Sequence, residues 1–289
     1  MAEIPSPLID ILPSESFGAE HLPGAVNICV YETAFIDKIR AAFPDTTILL
    51  TVYGLNSSTL EASVAMKKLE AAGYRRVQVL PGGLEGWKAS GEAIEQGTDA
   101  VGESVTGRYE IDQAASVAEW MGRNLFNRHA GTVLLGPGTI DLKGGLLAGG
   151  HLTVDMTTLR CTDIADPALN AHLIAHLKSD DFFSTEKYPN AEFDILAATI
   201  RSGVKLGEPN YQIRGDFTLR GVTKPLDFPA VVARKPDGAF TAQARLDIDR
   251  TLWGAVYGSA KFFGSLGQHL VNDVVHMYLK AVSKERPAG

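Results

Sequence analysis

The chain has 289 residues, of which 45% are hydrophobic and 21% charged, and its formal net charge is -7 at pH 7. This length exceeds what one hydrophobic core ordinarily organises, so we expect two domains. The hydrophobic content excludes wholesale disorder, and no apolar run is long enough to span a bilayer. The acidic balance argues against nucleic acid as a partner, because binding phosphates requires clustered Lys and Arg.

The cysteine content and the first residues bear on the compartment. The chain has two cysteines, Cys29 and Cys161, which are too few for a disulfide framework. Its first residues lack the basic start and the apolar stretch of a signal peptide. We therefore expect a protein of a reducing compartment, the cytoplasm.

In the first part of the chain, predicted strands and helices alternate. The run from Ile48 to Tyr53 is apolar throughout, which is typical of a strand buried on both faces of a parallel sheet. The spacing of apolar residues predicts a helix from Thr59 to Ala72, ended by Gly73. The run from Arg76 to Leu80 predicts the next strand, so this part has the pattern of an α/β domain with a parallel sheet.

From Tyr109 onward the pattern changes to alternation of apolar and polar residues. The alternation is strict from Leu152 to Met156 and recurs in later segments such as Phe240 to Ile248. Six or more such strands separated by Gly-rich turns predict an all-β antiparallel sandwich or barrel. One helix interrupts the strands, with Asp166 as its N-cap and Pro167 in its first turn.

The change of pattern gives the domain boundaries. We predict an N-terminal domain over residues 1–97, a linker over residues 98–105 and a C-terminal domain over residues 106–286.

Four ordered motifs in the first 95 residues carry a resemblance. They are LID at 8–10, EHLPGAVNI at 20–28, GY at 73–74 and LPGGLEGW at 80–87, and together they resemble a rhodanese domain. The resemblance implies a domain that carries sulfur on a cysteine directly after the central strand. There, backbone N–H groups and a helix N-terminus stabilise the thiolate.

The position of that cysteine is occupied by Gly54, and the loop Leu55–Ser58 contains no cysteine either. Glycine has no atom that accepts sulfur, so we expect no sulfurtransferase activity. We predict that Cys29 is a small core residue and that Ser57 and Ser58 cap the following helix. The resemblance then implies an interaction or regulatory module that docks a protein partner.

The second part of the chain resembles the YceI family of polyisoprenoid-binding-like proteins over about residues 105–284. After YEID at 109–112, the resemblance is carried by HLKSDDFF at 176–183, EKYP at 186–189, GDFTLRGVTKP at 215–225 and IDRT at 248–251. It implies an eight-stranded, lipocalin-like antiparallel barrel with one short helix. Such a barrel holds an extended apolar ligand, typically an isoprenoid chain.

Binding such a ligand requires no catalytic group, because burial of its apolar surface supplies the driving force. An eight-stranded barrel is either filled by its own side chains or hollow enough for one small ligand, and both possibilities stay open here. We predict that the ligand contacts aromatic and polar residues, namely Trp120, His129, His176, Phe182, Phe183, Phe193, Phe217, Arg250, Trp253, Tyr257 and Phe262.

Arg250, His172 and His176 could each bind a ligand or a metal ion, or they could have structural roles. Arg250 could clamp a lipid phosphate, or it could form an ion pair with Asp247 or Asp249, and we favour the ion pair. His172 and His176 have the i, i+4 spacing of metal ligands, but we expect His176 to order the helix and the following loop by hydrogen bonding. We therefore predict no metal and no cofactor.

The main hypothesis is a non-enzymatic carrier of an isoprenoid or other lipid-like amphiphile, with an inactive rhodanese-like domain as an interaction or regulatory module. One alternative is a scaffold protein whose barrel is filled by side chains. A second is a sulfurtransferase, which the glycine at position 54 disfavours.

Overall fold

The computed structural model describes residues 7–96, 105–205, 207–235 and 237–284. The chain divides into two compact units, Met1–Glu103 and Ser104–Gly289. Each unit has its own hydrophobic core. Of the predicted linker, only Val105 belongs to the described residues.

The first unit alternates strands and helices around a parallel sheet. Its elements are β1 (Leu8–Asp10), α1 (Ser14–Ala19), β2 (Val26–Asn27), α2 (Phe35–Ala42), β3 (Leu50–Tyr53), α3 (Glu61–Ala71), β4 (Val77–Val79) and α4 (Gly83–Ala89). The strand order is β2-β1-β3-β4, and all neighbours are parallel. The predicted α/β fold with a parallel sheet is confirmed.

The centre of this sheet follows from its sequence. Strand β3 is buried along its whole length, as the continuous apolar run predicts for a strand covered on both faces. Helix α3 ends at Ala71, and Gly73 adopts a φ of +99°. Only glycine enters this left-handed region without steric cost, so Gly73 ends the helix as predicted.

The predicted capping of α3 by Ser57 and Ser58 is wrong, because no side chain caps the helix. The Ser58 hydroxyl instead donates to Oδ1 of Asn56 at 2.7 Å, and Oγ of Ser57 accepts from the Gly82 amide at 3.1 Å. Both serines therefore order the loop that follows β3, and α3 begins only at Glu61.

In its described residues, the second unit is mainly antiparallel sheet with one α-helix. Its elements are β5 (Gly107–Glu110), β6 (Val117–Arg123), β7 (Arg128–Leu135), β8 (Thr139–Lys143), β9 (Leu146–Cys161), α5 (Pro167–Lys178), β10 (Asn190–Ile200), β11 (Tyr211–Leu219), β12 (Val222–Arg234), β13 (Phe240–Asp249) and β14 (Val274–Val282). Two short 3-10 turns, Arg250–Trp253 and Gly267–His269, lie between β13 and β14.

The sheet closes on itself. Its neighbours run in the order β10-β11-β12-β13-β14-β6-β7-β9, and β9 also pairs with β10. These eight strands form a closed antiparallel ring, which confirms the predicted eight-stranded barrel. Strand β8 continues the line of β7 along the edge of β9, and β5 pairs with β8.

Helix α5 begins as its sequence predicts. Oδ1 of Asp166 accepts from the amides of Ala168 and Leu169, both at 2.9 Å, and Pro167 occupies the first turn. These bonds satisfy backbone donors that have no partner within the helix. Among the described residues, no helix combines the length and the apolar character needed to cross a membrane.

Asp10 is fully buried at the end of β1. Its Oδ1 accepts from the Leu12 amide at 2.8 Å and from Nδ2 of Asn27 at 3.3 Å. Burial raises the pKa of Asp10 above its ordinary value, and these hydrogen bonds only partly offset that effect. A carboxyl whose pKa is raised in the folded state contributes stability at low pH, and this contribution is lost as the pH rises through the raised pKa.

We predict that Asp10→Asn, which keeps the acceptor for Leu12 but cannot ionise, flattens the pH dependence of the first unit. In the wild type, hydrogen exchange of peptides from this unit should show the free energy of unfolding declining as the pH rises from about 4 towards 7. The decline should be smaller in Asp10→Asn and unchanged in Glu70→Gln, which alters an exposed carboxyl on α3. Equal declines in all three proteins would contradict the prediction.

Candidate functional site

The barrel of the second unit is hollow. It contains a cavity of about 390 Å³, within the size range of pockets that hold small ligands. All eight strands of the closed ring contribute side chains to its wall, and so does helix α5. The wall is mainly apolar, as expected for a site that takes up a ligand by burying hydrophobic surface.

The wall is built by the two-residue period of the strands. On β7, Val133 and Leu135 line the cavity, and on β14, Val275, Met277 and Leu279 do so. Successive side chains of a strand point to opposite faces, so each strand sends alternate residues into the barrel. The alternation seen in the sequence therefore determines the composition of the wall.

Polar residues also line part of the cavity. They come from the end of β6 and from the segment before β14, where the apolar Leu270 and Val271 line it as well. They are Arg123, Asn124, Gln268, His269 and Asn272, and we call these residues the polar end. A bridge between Asn124 and Val271 holds the two segments together. No sequence pattern marks these residues, because they lie where the alternation of apolar and polar residues stops.

Nine of the eleven residues predicted to contact a ligand line this cavity. They are Trp120, His129, His176, Phe182, Phe183, Phe193, Phe217, Arg250 and Tyr257. That they contact a bound ligand stays a prediction.

The other two predicted residues, Trp253 and Phe262, lie outside the cavity lining. The Trp253 side chain is buried, its Nε1 donates to the Phe217 carbonyl at 3.1 Å, and its ring packs edge-on against the Phe217 ring. It therefore supports a wall residue without lining the space. The Phe262 side chain is 57% exposed. Both residues follow β13, where no strand period directs side chains inward.

An aromatic cluster lies where α5 meets the cavity. The His176 ring packs edge-on against Tyr257 at 4.6 Å and against Phe182 at 5.0 Å between ring centroids. Nε2 of His176 lies 3.5 Å from Oδ2 of Asp181. His176 thus orders the end of α5 mainly through ring packing, whereas His172 is exposed and does not line the cavity.

Arg250 is almost fully buried, and its guanidinium is bound to backbone carbonyls. Its Nε donates to the carbonyl of Asn272 at 3.1 Å, its Nη2 donates to Val271 at 3.0 Å, and its Nη1 donates to Ala255. The guanidinium also lies 5.2 Å from the Phe182 ring. Arg250 therefore ties together the segments that follow β13 and precede β14.

The predicted ion pair of Arg250 with Asp247 or Asp249 is wrong. Asp247 pairs with His276, and Asp249 pairs with Lys261. The carboxylate nearest to Arg250 is that of Asp273, at 4.0 Å. Because three backbone carbonyls take up three of its five N–H donors, Arg250 is poorly placed to clamp a phosphate.

In the first unit, Gly54 is buried directly after β3. A Cβ atom added at this position would lie 3.2 Å from Cβ of Glu61 and 3.6 Å from its Oε2. The Glu61 side chain therefore stands beside the place that a side chain at position 54 would take. Cys29 is buried in the same unit, in agreement with its predicted core position.

Comparisons with known proteins match both units. A family model described as a YceI-like domain matches residues 109–282, and one described as a Rhodanese-like domain matches residues 1–90. The UPF0312 protein plu2095 of Photorhabdus laumondii is 51% identical over 51 residues, or 18% of this chain and 23% of that protein. Protein YceI of Escherichia coli O17:K52:H18 is 40% identical over 62 residues, or 22% of this chain and 29% of that protein. The chain thus spans less than a third of the length of these curated relatives.

Several solved structures are similar to part of this chain. Burkholderia cenocepacia BcnA is 19% identical with a TM-score of 0.47, covering 60% of this chain and 99% of its own. A polyisoprenoid binding domain from Saccharophagus degradans is 15% identical with a TM-score of 0.47, covering 62% of this chain and 98% of its own. The Rhodanese_3 like domain of an Anabaena sp protein is 25% identical with a TM-score of 0.29, covering 32% of this chain and 93% of its own.

We predict that Arg250→Ala destabilises the second unit, because it leaves three carbonyls without their donor. The free energy of unfolding should fall by about 3 kcal/mol or more. Arg250→Lys keeps the charge but has fewer donors in a different geometry, so its loss should be intermediate. Denaturant unfolding followed by near-ultraviolet circular dichroism measures both variants. A loss below about 1 kcal/mol in Arg250→Ala would show that the carbonyls find other donors.

Proposed function

The chain belongs to the YceI-like family, and from this premise and the hollow barrel we propose that it is a non-enzymatic carrier of an isoprenoid or other lipid-like amphiphile. The observation that carries the proposal is the apolar cavity of about 390 Å³ with one polar end. The resemblance seen in the sequence implies the same class of ligand.

The cavity wall suits the apolar part of such a ligand. Residues such as Leu152, Met156 and Met277 offer hydrocarbon and thioether surface without fixed hydrogen-bond requirements. Burying apolar surface there stabilises the complex by about 25 cal/mol per Å². A chain of isoprene units packs its apolar surface against this wall and needs no hydrogen bonds there. A polar metabolite would lose its hydrogen bonds to water and gain none from the wall.

The polar end suits the head of an amphiphile. Arg123 supplies a positive charge there, and Asn124, Gln268 and Asn272 supply amide groups. A ligand with one polar terminus would therefore enter in a single orientation, with its chain among the apolar strands. This arrangement favours an amphiphile over a pure hydrocarbon.

The role proposed for the first unit is that of an interaction or regulatory module without sulfurtransferase activity. Gly54 offers no nucleophile, and the Glu61 carboxylate lies beside it. A carboxylate next to the sulfur position would disfavour a thiolate by repulsion between like charges. A cytoplasmic location stays part of this proposal, and the two free cysteines, Cys29 and Cys161, are compatible with it.

The carrier proposal predicts that a larger side chain in the cavity weakens ligand binding. Ala191 lines the cavity on β10, whereas Ala197 on the same strand is exposed. With geranylgeraniol as the probe, Ala191→Trp should bind about tenfold more weakly or worse, because the indole takes up ligand volume. Ala197→Trp is the matched control and should bind like the wild type.

Native mass spectrometry of the purified chain provides a second readout of the carrier proposal. It should show a lipid-like adduct that is lost from Ala191→Trp and retained by Ala197→Trp. If the wild type neither copurifies with an adduct nor takes up geranylgeraniol, the carrier proposal fails.

The inactivity proposal predicts that the wild type transfers no sulfur from thiosulfate to cyanide above the rate of Cys29→Ser. We expect Gly54→Cys alone to stay inactive, because Cβ of Glu61 lies 3.2 Å from the new Cβ and its carboxylate adds negative charge. Gly54→Cys combined with Glu61→Gly removes both the Cβ atom and the carboxylate of residue 61, so activity is expected there first. Turnover by the wild type above the Cys29→Ser rate would contradict the proposal.

A further inference from the structure

Three potential metal ligands meet at the end of the pairing between β7 and β9. His129 is the second residue of β7, Cys161 is the last residue of β9, and Asp163 lies two residues after Cys161. Each offers one donor atom, and these three atoms all lie within 4.8 Å of one another. We call these residues the His–Cys–Asp cluster.

The strand register explains why the three side chains meet. Gly131 on β7 is paired with Cys161 on β9, and the same register continued by two residues sets His129 across from Asp163. The hydrogen bond from the Thr162 amide to the Ala130 carbonyl, at 2.9 Å, continues the pairing. His129 lines the cavity and Cys161 is buried, whereas Asp163 lies beyond the end of β9 and is exposed.

Gly131 is the fourth position of this paired patch and carries no side chain. A Cβ atom at Gly131 would lie 1.8 Å from the Arg160 carbonyl oxygen and 2.7 Å from the Trp120 ring. The backbone and the Trp120 ring therefore fill this position, and the patch carries three donor side chains.

The donor separations are close to those of a tetrahedral zinc site. Sγ of Cys161 lies 3.0 Å from Oδ1 of Asp163, and Nδ1 of His129 lies 3.5 Å from the same oxygen. Zinc bonded to nitrogen, oxygen and sulfur at its usual distances separates its ligands by about 3.3 to 3.8 Å. The first observed separation is slightly shorter than this range, the second lies within it, and the remaining pair of donor atoms lies within 4.8 Å.

One donor is left unsatisfied within the described part of the chain. Nδ1 of His129 is buried and has no hydrogen-bond partner, although the side chain is 38% exposed and Nδ1 lies 3.5 Å from Oδ1 of Asp163. A buried ring nitrogen without a partner is unfavourable, and a metal ion at this position would satisfy it.

The other two donors are held in place by neighbouring groups. The Ala130 amide donates to Oδ2 of Asp163 at 3.1 Å, which leaves Oδ1 directed to the cluster. Nδ2 of Asn170 donates to the Cys161 carbonyl at 3.0 Å and fixes the backbone there. Such outer contacts orient ligands in metal sites.

We infer that the His–Cys–Asp cluster binds one divalent ion of the zinc class through Nδ1 of His129, Sγ of Cys161 and Oδ1 of Asp163. One imidazole, one thiolate and one carboxylate form a donor set that suits zinc. The Cys161 thiol gives its proton to the solvent when the metal–sulfur bond forms, and the two negative ligands then balance the charge of the ion. Three protein ligands leave a fourth position for water or another oxygen ligand.

The ion lies at the wall of the cavity, because His129 belongs to both sites. Its fourth position is therefore available to an oxygen atom of a ligand's polar head. This last step rests on the proposed carrier function, whereas the binding of the metal itself does not.

The test uses the untagged full chain, stripped with a chelator and dialysed against zinc. We expect one equivalent of bound zinc by elemental analysis, and cobalt in its place should give a thiolate-to-cobalt charge-transfer band. Cys161→Ser should lose the band, and Cys29→Ser, which changes the other cysteine, should keep it. Asp163→Asn and His129→Gln should each weaken zinc binding about tenfold or more, whereas His172→Gln should not.

Folding of each variant is checked by circular dichroism. Asp163→Asn and Cys161→Ser change different ligands, so if one of these variants does not fold, the other still tests the inference. Less than half an equivalent of zinc in the wild type, or a cobalt band that survives in Cys161→Ser, overturns the inference. Uptake of geranylgeraniol is measured on the metal-free and on the zinc-treated protein. If the chain takes up geranylgeraniol but binds no zinc, the cluster inference fails alone, and if it binds zinc but takes up geranylgeraniol in neither form, the carrier proposal fails alone.

Discussion

The structure of the second unit depends on the pairing of one long strand. Strand β9 spans Leu146–Cys161 and pairs with β8 and β10 along its first part and with β7 along its last part. Pairing on both sides turns an open sheet into a closed ring, and closure fixes which face of each strand is interior. The side chains on that face leave a cavity of about 390 Å³. The apolar wall, the polar end and the His–Cys–Asp cluster all follow from this closure.

The sequence predicts most of the elements because their signals are local. The apolar run before Tyr53 marks a strand covered on both faces, and Asp166 with Pro167 marks the start of a helix. Periodicity identifies which residues of a strand share a face, and most of the predicted aromatic residues do line the cavity. Beyond the ends of the strands, periodicity does not predict where a side chain points. Trp253 and Phe262 lie in such a segment, one buried behind the wall and the other exposed.

Contacts between distant segments cannot be predicted in the same way. The neighbouring residue Asp249 makes an ion pair with Arg250 plausible from the sequence, yet the guanidinium binds carbonyls of residues such as Ala255 and Val271. Backbone acceptors have no residue identity, so no sequence pattern marks them. The meeting of His129 with Cys161 depends on the register of β7 and β9, which shifts between Thr132 and Leu134. One residue of difference in register would send these side chains to opposite faces.

The two units differ in what their sequences reveal, and the reason is physical. A rhodanese nucleophile is one atom at one position, so Gly54 alone is enough to predict its loss. A cavity is the volume left by several dozen side chains, and it exists only once the barrel has closed. The same closure places His129 in the cavity wall and in the His–Cys–Asp cluster. A ligand that fills the cavity would displace water from around this imidazole, and a charge placed on the cluster would change the polarity of the wall. Metal and amphiphile are therefore expected to influence each other's binding through His129, with equal effects in both directions.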